Sequence, residues 1–319
     1  MLVTRLPKLA AISMSSLLST SSSRQFTPFT PSSDSLFAYI ESLQIQSAVS
    51  SSEDSGDPSQ TKPDFGDFLD SGTGNHSLEW IVKLENEGCI DSWKAVTADV
   101  KMQNAVASKL ATLKPDSSGE IVLGNWASSE STTAAVPSTL ISHNTGTLLP
   151  SSTYDVILAD YLLGAVDGFS PYYQDQILPR LKTHLKPNGK IYVVGLNPIP
   201  DTFPGSGNII CEIRRLRDAC ILLAGHRCYR EYPVEWVERH MRGIGFECVS
   251  RRFPILWSGE SALRQVNVAK SKLGLMKGTC RGGMKAEIER IEKEVERIFK
   301  GGKRIQVGFD YVVCGTLKE

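Results

Sequence analysis

Between Phe65 and Trp80 the chain reads FGDFLDSGTGNHSLEW. A short apolar run, Phe65, Phe68 and Leu69, ends on the carboxylate of Asp70. Ser71, Gly72, Thr73 and Gly74 follow, and a helix-like pattern opens at Asn75. A strand that stops on a carboxylate, turns through two glycines and enters a helix can hold an anionic ligand. Glycine lets a ligand come close to the backbone, and a helix start offers unpaired N–H groups with partial positive charge. The dinucleotide-binding fingerprint needs a third glycine where Ser77 stands. On its own the stretch is either the nucleotide-side loop of a doubly wound α/β domain or a purely structural turn.

Other residues of useful chemistry also sit at the ends of apolar runs. Asp99 and Asp160 each terminate one, and Asn125-Trp126 follow a third. Downstream, Arg214-Arg215-x-Arg217-Asp218 precedes His226-Arg227-Cys228-Tyr229-Arg230-Glu231-Tyr232. The arginine fork matches carboxylates and phosphates, and the aromatic rings can stack on a planar ligand. The segment therefore reads as a contact for an anionic or aromatic molecule through His226, Arg227, Tyr229 and Arg230. The alternative is a set of solvated arginines paired with Glu212 and Asp218.

The elements that must position these residues alternate regularly. The patterning predicts a strand to Leu69, a helix from Asn75 to about Glu87, and a second strand over Trp93–Ala98. A helix over Met102 to Leu113 and a third strand over Glu120–Leu123 come next. After a Ser/Thr-rich stretch, 127–147, the fourth strand is Tyr154–Ala159. A helix over about Pro171–Leu185 leads through a Lys186-Pro187-Asn188-Gly189 turn into a fifth strand, Lys190–Gly195. Strands that are unbroken apolar runs between helices indicate a parallel sheet buried on both faces. Helices around Glu212–Leu223 and Val234–Arg242 precede a strand over Phe246–Phe253. Residues 258–300 look mostly helical, with Ile288, Ile291, Val295 and Ile298 on one stripe. Gly301-Gly302 ends that helix, and Arg304–Leu317 suits a final antiparallel strand. Ahead of the sheet, residues 34–48 have helical spacing with Asp34 or Ser35 as N-cap. That helix either covers the ligand site or packs on the core, and a Ser/Asp/Pro linker follows it over 49–62.

The 319 residues are 41% apolar and 22% charged, an ordinary globular balance. Lys plus Arg equals Asp plus Glu at 35 each, so net charge gives no sign of nucleic-acid binding. No apolar run approaches the ~20 residues of a membrane span. Seven cysteines, with no C-x-x-C pair, argue against a complete disulfide framework, and the histidines do not flank them at zinc spacing. Residues 1–33 hold Arg5, Lys8 and Arg24, no acidic residue and many hydroxyls. This composition matches an organelle transit peptide, mitochondrial first and plastid second, or else a cytosolic tail. Without it 32 basic residues face 35 acidic ones.

With these segments placed, the chain resembles the class I S-adenosylmethionine-dependent methyltransferases over roughly residues 60–253 and 304–317. FLDSGTGNHSL is similar to their first motif, Asp99 falls where the second strand ends in an acidic residue, and YDVILADYLLGAVDGF resembles the fourth motif. LKTHLKPNGKIYVVG is similar to the helix, PxG and fifth-strand signature. The resemblance implies a Rossmann-like domain over 63–319: a doubly wound, mostly parallel seven-stranded sheet, its last strand antiparallel, with a helical insertion at 254–303. It implies S-adenosylmethionine as cofactor, held by Asp70, Ser71, Gly72, Thr73, Gly74 and His76 around the methionine part. Asp99 would take the ribose hydroxyls, Asn125 and Trp126 the adenine, Asp70 or a carbonyl near Asp160 the ammonium, and Asp160 and Tyr161 would also contact the cofactor. Asp160 would orient or deprotonate the nucleophile, or else position the cofactor, and no metal is implied. The acceptor would be a small molecule or a protein. His76 replaces the third glycine of the family's loop, and the N/D-P-P-Y signature of amino-methylating members has no counterpart at Tyr161-Leu162-Leu163. Alternatives are a catalytically silent organelle assembly or scaffold protein and an aminopropyltransferase-like enzyme, for which Asp160 fits but the basic 212–232 segment does not. A nicotinamide-dependent dehydrogenase is disfavoured by Ser77.

Overall fold

The computed structural model describes residues 29–51, 62–127, 148–149 and 153–317. The transit-peptide expectation, most of the linker and most of the Ser/Thr-rich stretch lie outside the described residues.

Seven strands form one sheet: β1 (Asp67–Asp70), β2 (Ser92–Thr97), β3 (Glu120–Leu123), β4 (Tyr154–Asp160), β5 (Leu185–Leu196), β6 (Phe246–Trp257) and β7 (Ile305–Leu317). Their order is β3-β2-β1-β4-β5-β7-β6. The pairs from β3 through β5 are parallel, and β7 enters antiparallel between β5 and β6. The order reverses between β1 and β4, so their carboxyl ends open a crevice of the kind that binds ligands in open α/β sheets.

The helices are α1 (Ser35–Ser51), α2 (Asn75–Asn86), α3 (Val100–Leu113), α4 (Leu162–Phe169), α5 (Gln174–Lys182), α6 (Asn208–Leu223), α7 (Val234–Gly243), α8 (Gly259–Lys272) and α9 (Thr279–Ile298). Successive strand residues point to opposite faces, which divides the core. Phe68, Leu158, Tyr192 and Val312 pack with α1 and α2. Leu69, Ile157, Val193 and Val313 pack with α4, α5 and α7. The insertion between β6 and β7 is helical, as expected, and α8 and α9 bury Val266, Ile288 and Ile291 with Ile213 of α6 in a third cluster.

α1 is docked on the core. Asp34 caps it, its Oδ1 accepting the N–H groups of Leu36 (2.8 Å) and Phe37 (3.4 Å). Phe37 stacks on Trp80 at 4.4 Å and on His76 at 4.8 Å. Buried Glu41 accepts from Trp80 Nε1 at 2.9 Å and from the Ser32 N–H at 2.7 Å.

Two sequence expectations need correction. The helix expected over Pro171–Leu185 is the shorter α5, and a further helix, α4, that the patterning did not show precedes it, starting at Leu162. Two glycines, Gly164 and Gly168, weaken helix propensity there and hide it. The Lys186–Gly189 turn is part of β5, which starts at Leu185 and pairs with Tyr154 across a bulge. Lys186 is drawn into that edge by Asp67 and Asp155, 2.7 Å from each.

Candidate active site

The crevice is built from the ends of β1, β2, β3 and β4. A cavity of about 170 Å³ is lined there by Ser71, Gly72, Thr73, Asp99, Asn125 and Trp126, among others, and by Leu162 and Val166 of α4. Six residues picked from sequence as cofactor contacts thus meet at one place. The glycine at 72 is required by close approach: a Cβ there would sit 2.9 Å from Leu162 Cδ1. Gly74 has open space where its Cβ would be, and its N–H donates to Ser77 Oγ at 3.1 Å.

Asp99 is the N-cap of α3, accepting the Lys101 N–H at 2.7 Å and the Met102 N–H at 3.4 Å through Oδ1. The other oxygen is available to a ligand, so the capping and binding readings coexist. Trp126 is mostly core: it is 4% exposed and its Nε1 donates to the Ser71 carbonyl at 2.7 Å. The indole locks the glycine loop and gives the cavity one face. The Asn125 amide lines the cavity and is oriented by its own loop, donating to Ser170 Oγ at 2.8 Å and accepting the Ala127 N–H at 3.0 Å. A side chain this short closes its own loop first.

Asp70, Gly74, His76, Asp160 and Tyr161 do not line that cavity. They form its acidic shoulder. The Asp70 side chain is fully buried; Oδ1 accepts the Gly72 N–H at 3.3 Å, the Ser77 and Thr73 hydroxyls also favour the carboxylate, and Oδ2 makes no hydrogen bond of normal geometry among the described residues. Burial, with the Asp160 charge adding to it, pushes the Asp70 carboxyl up to about 7. Asp160 Oδ1 is also buried without a partner. His76 lies 4.0 Å from Asp160 and 3.3 Å from Asp34, and those two carboxylates hold its imidazolium up to about 10. Tyr161 has φ +49, a left-handed conformation that costs a non-glycine residue about 1–3 kcal/mol. Its N–H is tied to the Val194 carbonyl at 3.0 Å. Burial pushes Asp310, which hydrogen-bonds Tyr161, up to about 6.

A second cavity, of about 770 Å³, lies on the far side of α4 between the end of β5, α6 and residues 227–236. Leu196, Ile199, Ile213, Trp236 and Trp257 give it apolar and aromatic walls. Arg214, Arg217, Arg227 and Arg230 ring it. Asp167, 1% exposed, holds Arg227 at 3.3 Å and Arg230 at 3.5 Å. Asp218 holds Arg217 at 2.9 Å and Arg214 at 3.7 Å. At Asp167 one carboxylate shared by two guanidiniums leaves a net positive charge, whereas Arg214 has a second carboxylate, Asp201 at 2.7 Å, which balances the pair at Asp218. Tyr229 lines both cavities, packing over Gly168 of α4. His226, expected among the substrate contacts, lines neither: its Nδ1 is 3.1 Å from Lys272 Nζ, outside the ring. Sequence reasoning missed Glu231, a wall of the large cavity whose burial pushes its carboxyl up to about 7.

Among the described residues no group of three or more His, Cys, Asp or Glu is placed to hold a metal, and no helix is long and apolar enough to cross a membrane. All seven cysteines are free thiols.

A parallel sheet reversed at β1 and β4, with β7 inserted antiparallel before the edge, is the Rossmann-like methyltransferase fold. No family model matches the chain, and no curated protein matches it. Among solved structures it is similar to the YcgJ protein from Bacillus subtilis, with 15% identity, TM-score 0.47, and 87% of this chain and 99% of that one covered. A methyltransferase candidate from Bacillus halodurans C-125 gives 12% identity and TM-score 0.48, covering 79% and 93%. Mycolic acid cyclopropane synthase CmaA1, complexed with SAH, gives 13% identity and TM-score 0.43, covering 79% and 78%. At these values the likenesses carry no argument about activity.

Proposed function

We propose that the chain is an S-adenosylmethionine-dependent methyltransferase whose acceptor occupies the arginine-ringed cavity. The observation that carries this reading is the pair of buried carboxylate oxygens, Asp70 Oδ2 and Asp160 Oδ1, left without partners beside the Gly72–Gly74 turn. A buried carboxylate without a cation or donor is costly, and the cofactor's ammonium is a group that would satisfy them. When bound, the cofactor supplies a methyl group on a cationic sulfur.

The rest follows from what the chain's residues can hold. The Ser71–Gly74 backbone and the start of α2 suit a carboxylate, and Asp99 suits two vicinal hydroxyls. Val96, Met102 and Trp126 offer apolar faces to a base. The small cavity is below the roughly 300–1,000 Å³ typical of ligand sites. It suits the nucleoside part, and the larger cavity beyond Tyr229 takes the acceptor, an anionic or aromatic small molecule or protein side chain. Asp160 is better placed to serve the cofactor and His76 than to take a proton from the acceptor. α4 contributes mainly alignment and exclusion of water, and alignment alone is worth up to ~7–11 kcal/mol in well-oriented reactions.

Titration calorimetry with S-adenosylmethionine and S-adenosylhomocysteine tests the reading. Micromolar binding that Asp70→Asn weakens is expected, and an intact fold with no measurable binding overturns it. The second reading is a silent scaffold, favoured by His76, which stands in the third glycine's place and already occupies Asp160. The same titration separates the two. Aminopropyl transfer asks for a carboxylate-lined acceptor cavity, and here arginines ring it.

A further inference from the structure

α4 separates the two cavities with different faces. Leu162, Ala165, Val166 and Phe169 line the small one, whereas Asp167 lines the large one. Gly164 and Gly168, one helical turn apart, let the 229–231 segment lie directly on the helix. A Cβ on Gly168 would come within 3.3 Å of the Tyr229 ring. A Cβ on Gly164 would stand 2.6 Å from Glu231 Oε2 and 2.9 Å from Oε1. Those glycines therefore seat the Glu231 carboxylate in the wall of the large cavity and, near it in sequence, the Tyr229 ring that lines both cavities.

Glu231 differs from the other acids of the large cavity. Asp167 and Asp218 each carry two arginine partners, while Glu231 has no hydrogen bond or ion pair among the described residues. The charged and titratable groups that act on it are Arg217 and Asp218 of α6 and Asp310 and Tyr311 of β7. A carboxylate in a cavity wall with no partner is available to a ligand. A carboxyl poised near neutrality also meets the requirement for moving a proton at working pH.

Resting on the methyltransferase reading, we propose that the large cavity takes an anion with an apolar or aromatic body and a hydroxyl group, and that Glu231 accepts the hydroxyl proton. The anionic end meets the net positive charge of the Arg227–Asp167–Arg230 group, and the hydroxyl lies against Glu231 beside Tyr229. As the hydroxyl oxygen's lone pair forms the new bond to the methyl carbon, the carbon–sulfur electron pair stays with sulfur. The O–H pair remains on oxygen, and the proton moves to a Glu231 carboxylate oxygen. An amine acceptor would meet guanidiniums instead of the carboxylates that favour its cation, and a carboxylate acceptor would need no base.

The test uses the full chain with two probes, 6-hydroxy-2-naphthoate and 2-naphthoate, titrated between pH 5.5 and 8.5 by fluorescence. S-Adenosylhomocysteine titrations of the same samples report the other cavity. Wild type is expected to bind both naphthoates, the hydroxylated one more tightly as pH rises through about 7 and Glu231 ionises. Glu231→Gln is expected to lose ~10-fold for the hydroxylated probe, the size of a hydrogen bond to a charged group. It should lose the pH dependence too, while keeping its affinity for 2-naphthoate and S-adenosylhomocysteine. Gly164→Ala, which displaces the carboxylate by contact, should show the same pattern. Equal affinities and equal pH profiles for wild type and Glu231→Gln overturn the role of Glu231, and binding of neither naphthoate overturns the ligand class. A Glu231-dependent probe signature without any S-adenosylhomocysteine binding supports the cavity assignment and defeats the methyl-transfer reading instead.

Discussion

The two sides of α4 handle charge in opposite ways. On the β1–β4 side, carboxylates outnumber cations: Asp34 and Asp160 act on His76, the Asp160 charge also reaches Asp70 and Asp310, and two buried oxygens have no partner among the described residues. On the α6 side each arginine of the ring is already held by Asp167 or Asp218. An unpaired buried charge is costly until a counter-charge arrives, whereas a paired guanidinium has little left to gain. The acidic side is therefore expected to contribute affinity for a cationic ligand. The arginine side contributes shape and modest selectivity for an anion.

The sharpest way to break that contrast is Asp70→Asn. Burial raises this carboxyl from 3.8 to about 7, so the native state holds an extra proton between those values. Its contribution to stability is fully present below about pH 4 and is lost as pH rises through 7, on the order of 3–4 kcal/mol. The variant should show a flatter thermal midpoint between pH 4 and 8 by calorimetry. It should also lose ~100-fold in S-adenosylhomocysteine affinity, the range of a charge-assisted hydrogen bond. An unchanged pH slope would show that the acidic side is already satisfied.

Asp99→Ala comes next, since one oxygen caps α3 and the other is free for a ribose. Loss of the cap should lower stability by about 1 kcal/mol, read by urea titration, and cofactor affinity should fall ~10-fold. Asp99→Ser restores the cap alone, so stability should recover while affinity stays low.

His76→Gln is smaller. Asp160 and Asp34 raise its pKa from 6.5 to about 10, so the pair's contribution is complete below 6.5 and disappears as pH rises through 10. The imidazole is half exposed, which limits this to roughly 0.5 kcal/mol. Melting curves from pH 6 to 10 should converge with wild type only at the alkaline end. A marked gain in cofactor affinity on His76→Gly would favour the scaffold reading.

Arg227→Ala is the mildest. Arg230 still holds Asp167, so 2-naphthoate affinity should fall only ~3-fold, as for a half-exposed pair. A much larger loss would mean that Asp167 does not hold its two arginines in advance and that the contrast between the two sides is wrong.

Much of this was legible in the chain. The apolar runs ending on Asp70, Asp99 and Asp160 located the carboxyl edge of the sheet, because strands buried on both faces read as unbroken apolar runs. Their helical partners followed from 3.6-residue spacing. α4 was not legible, since Gly164 and Gly168 suppress the helical signal there. Their purpose is visible only once Glu231 and Tyr229, more than sixty residues downstream, lie against them. His226 misled for the same reason: adjacency to Arg227 in sequence says nothing about which way a loop residue points.

The sequence by itself determined the order of strands and helices, the glycine turn after Asp70 and the acidic residues at strand ends, because these are local properties of period, propensity and backbone freedom. Only the tertiary structure decided which carboxylates found partners. Asp167 gained two arginines, whereas Asp70 and Asp160 each kept a buried oxygen without a partner among the described residues and Glu231 stayed in the wall of the large cavity. That division depends on which distant segments the sheet brings within hydrogen-bond reach, and at that range burial and pairing outweigh residue type.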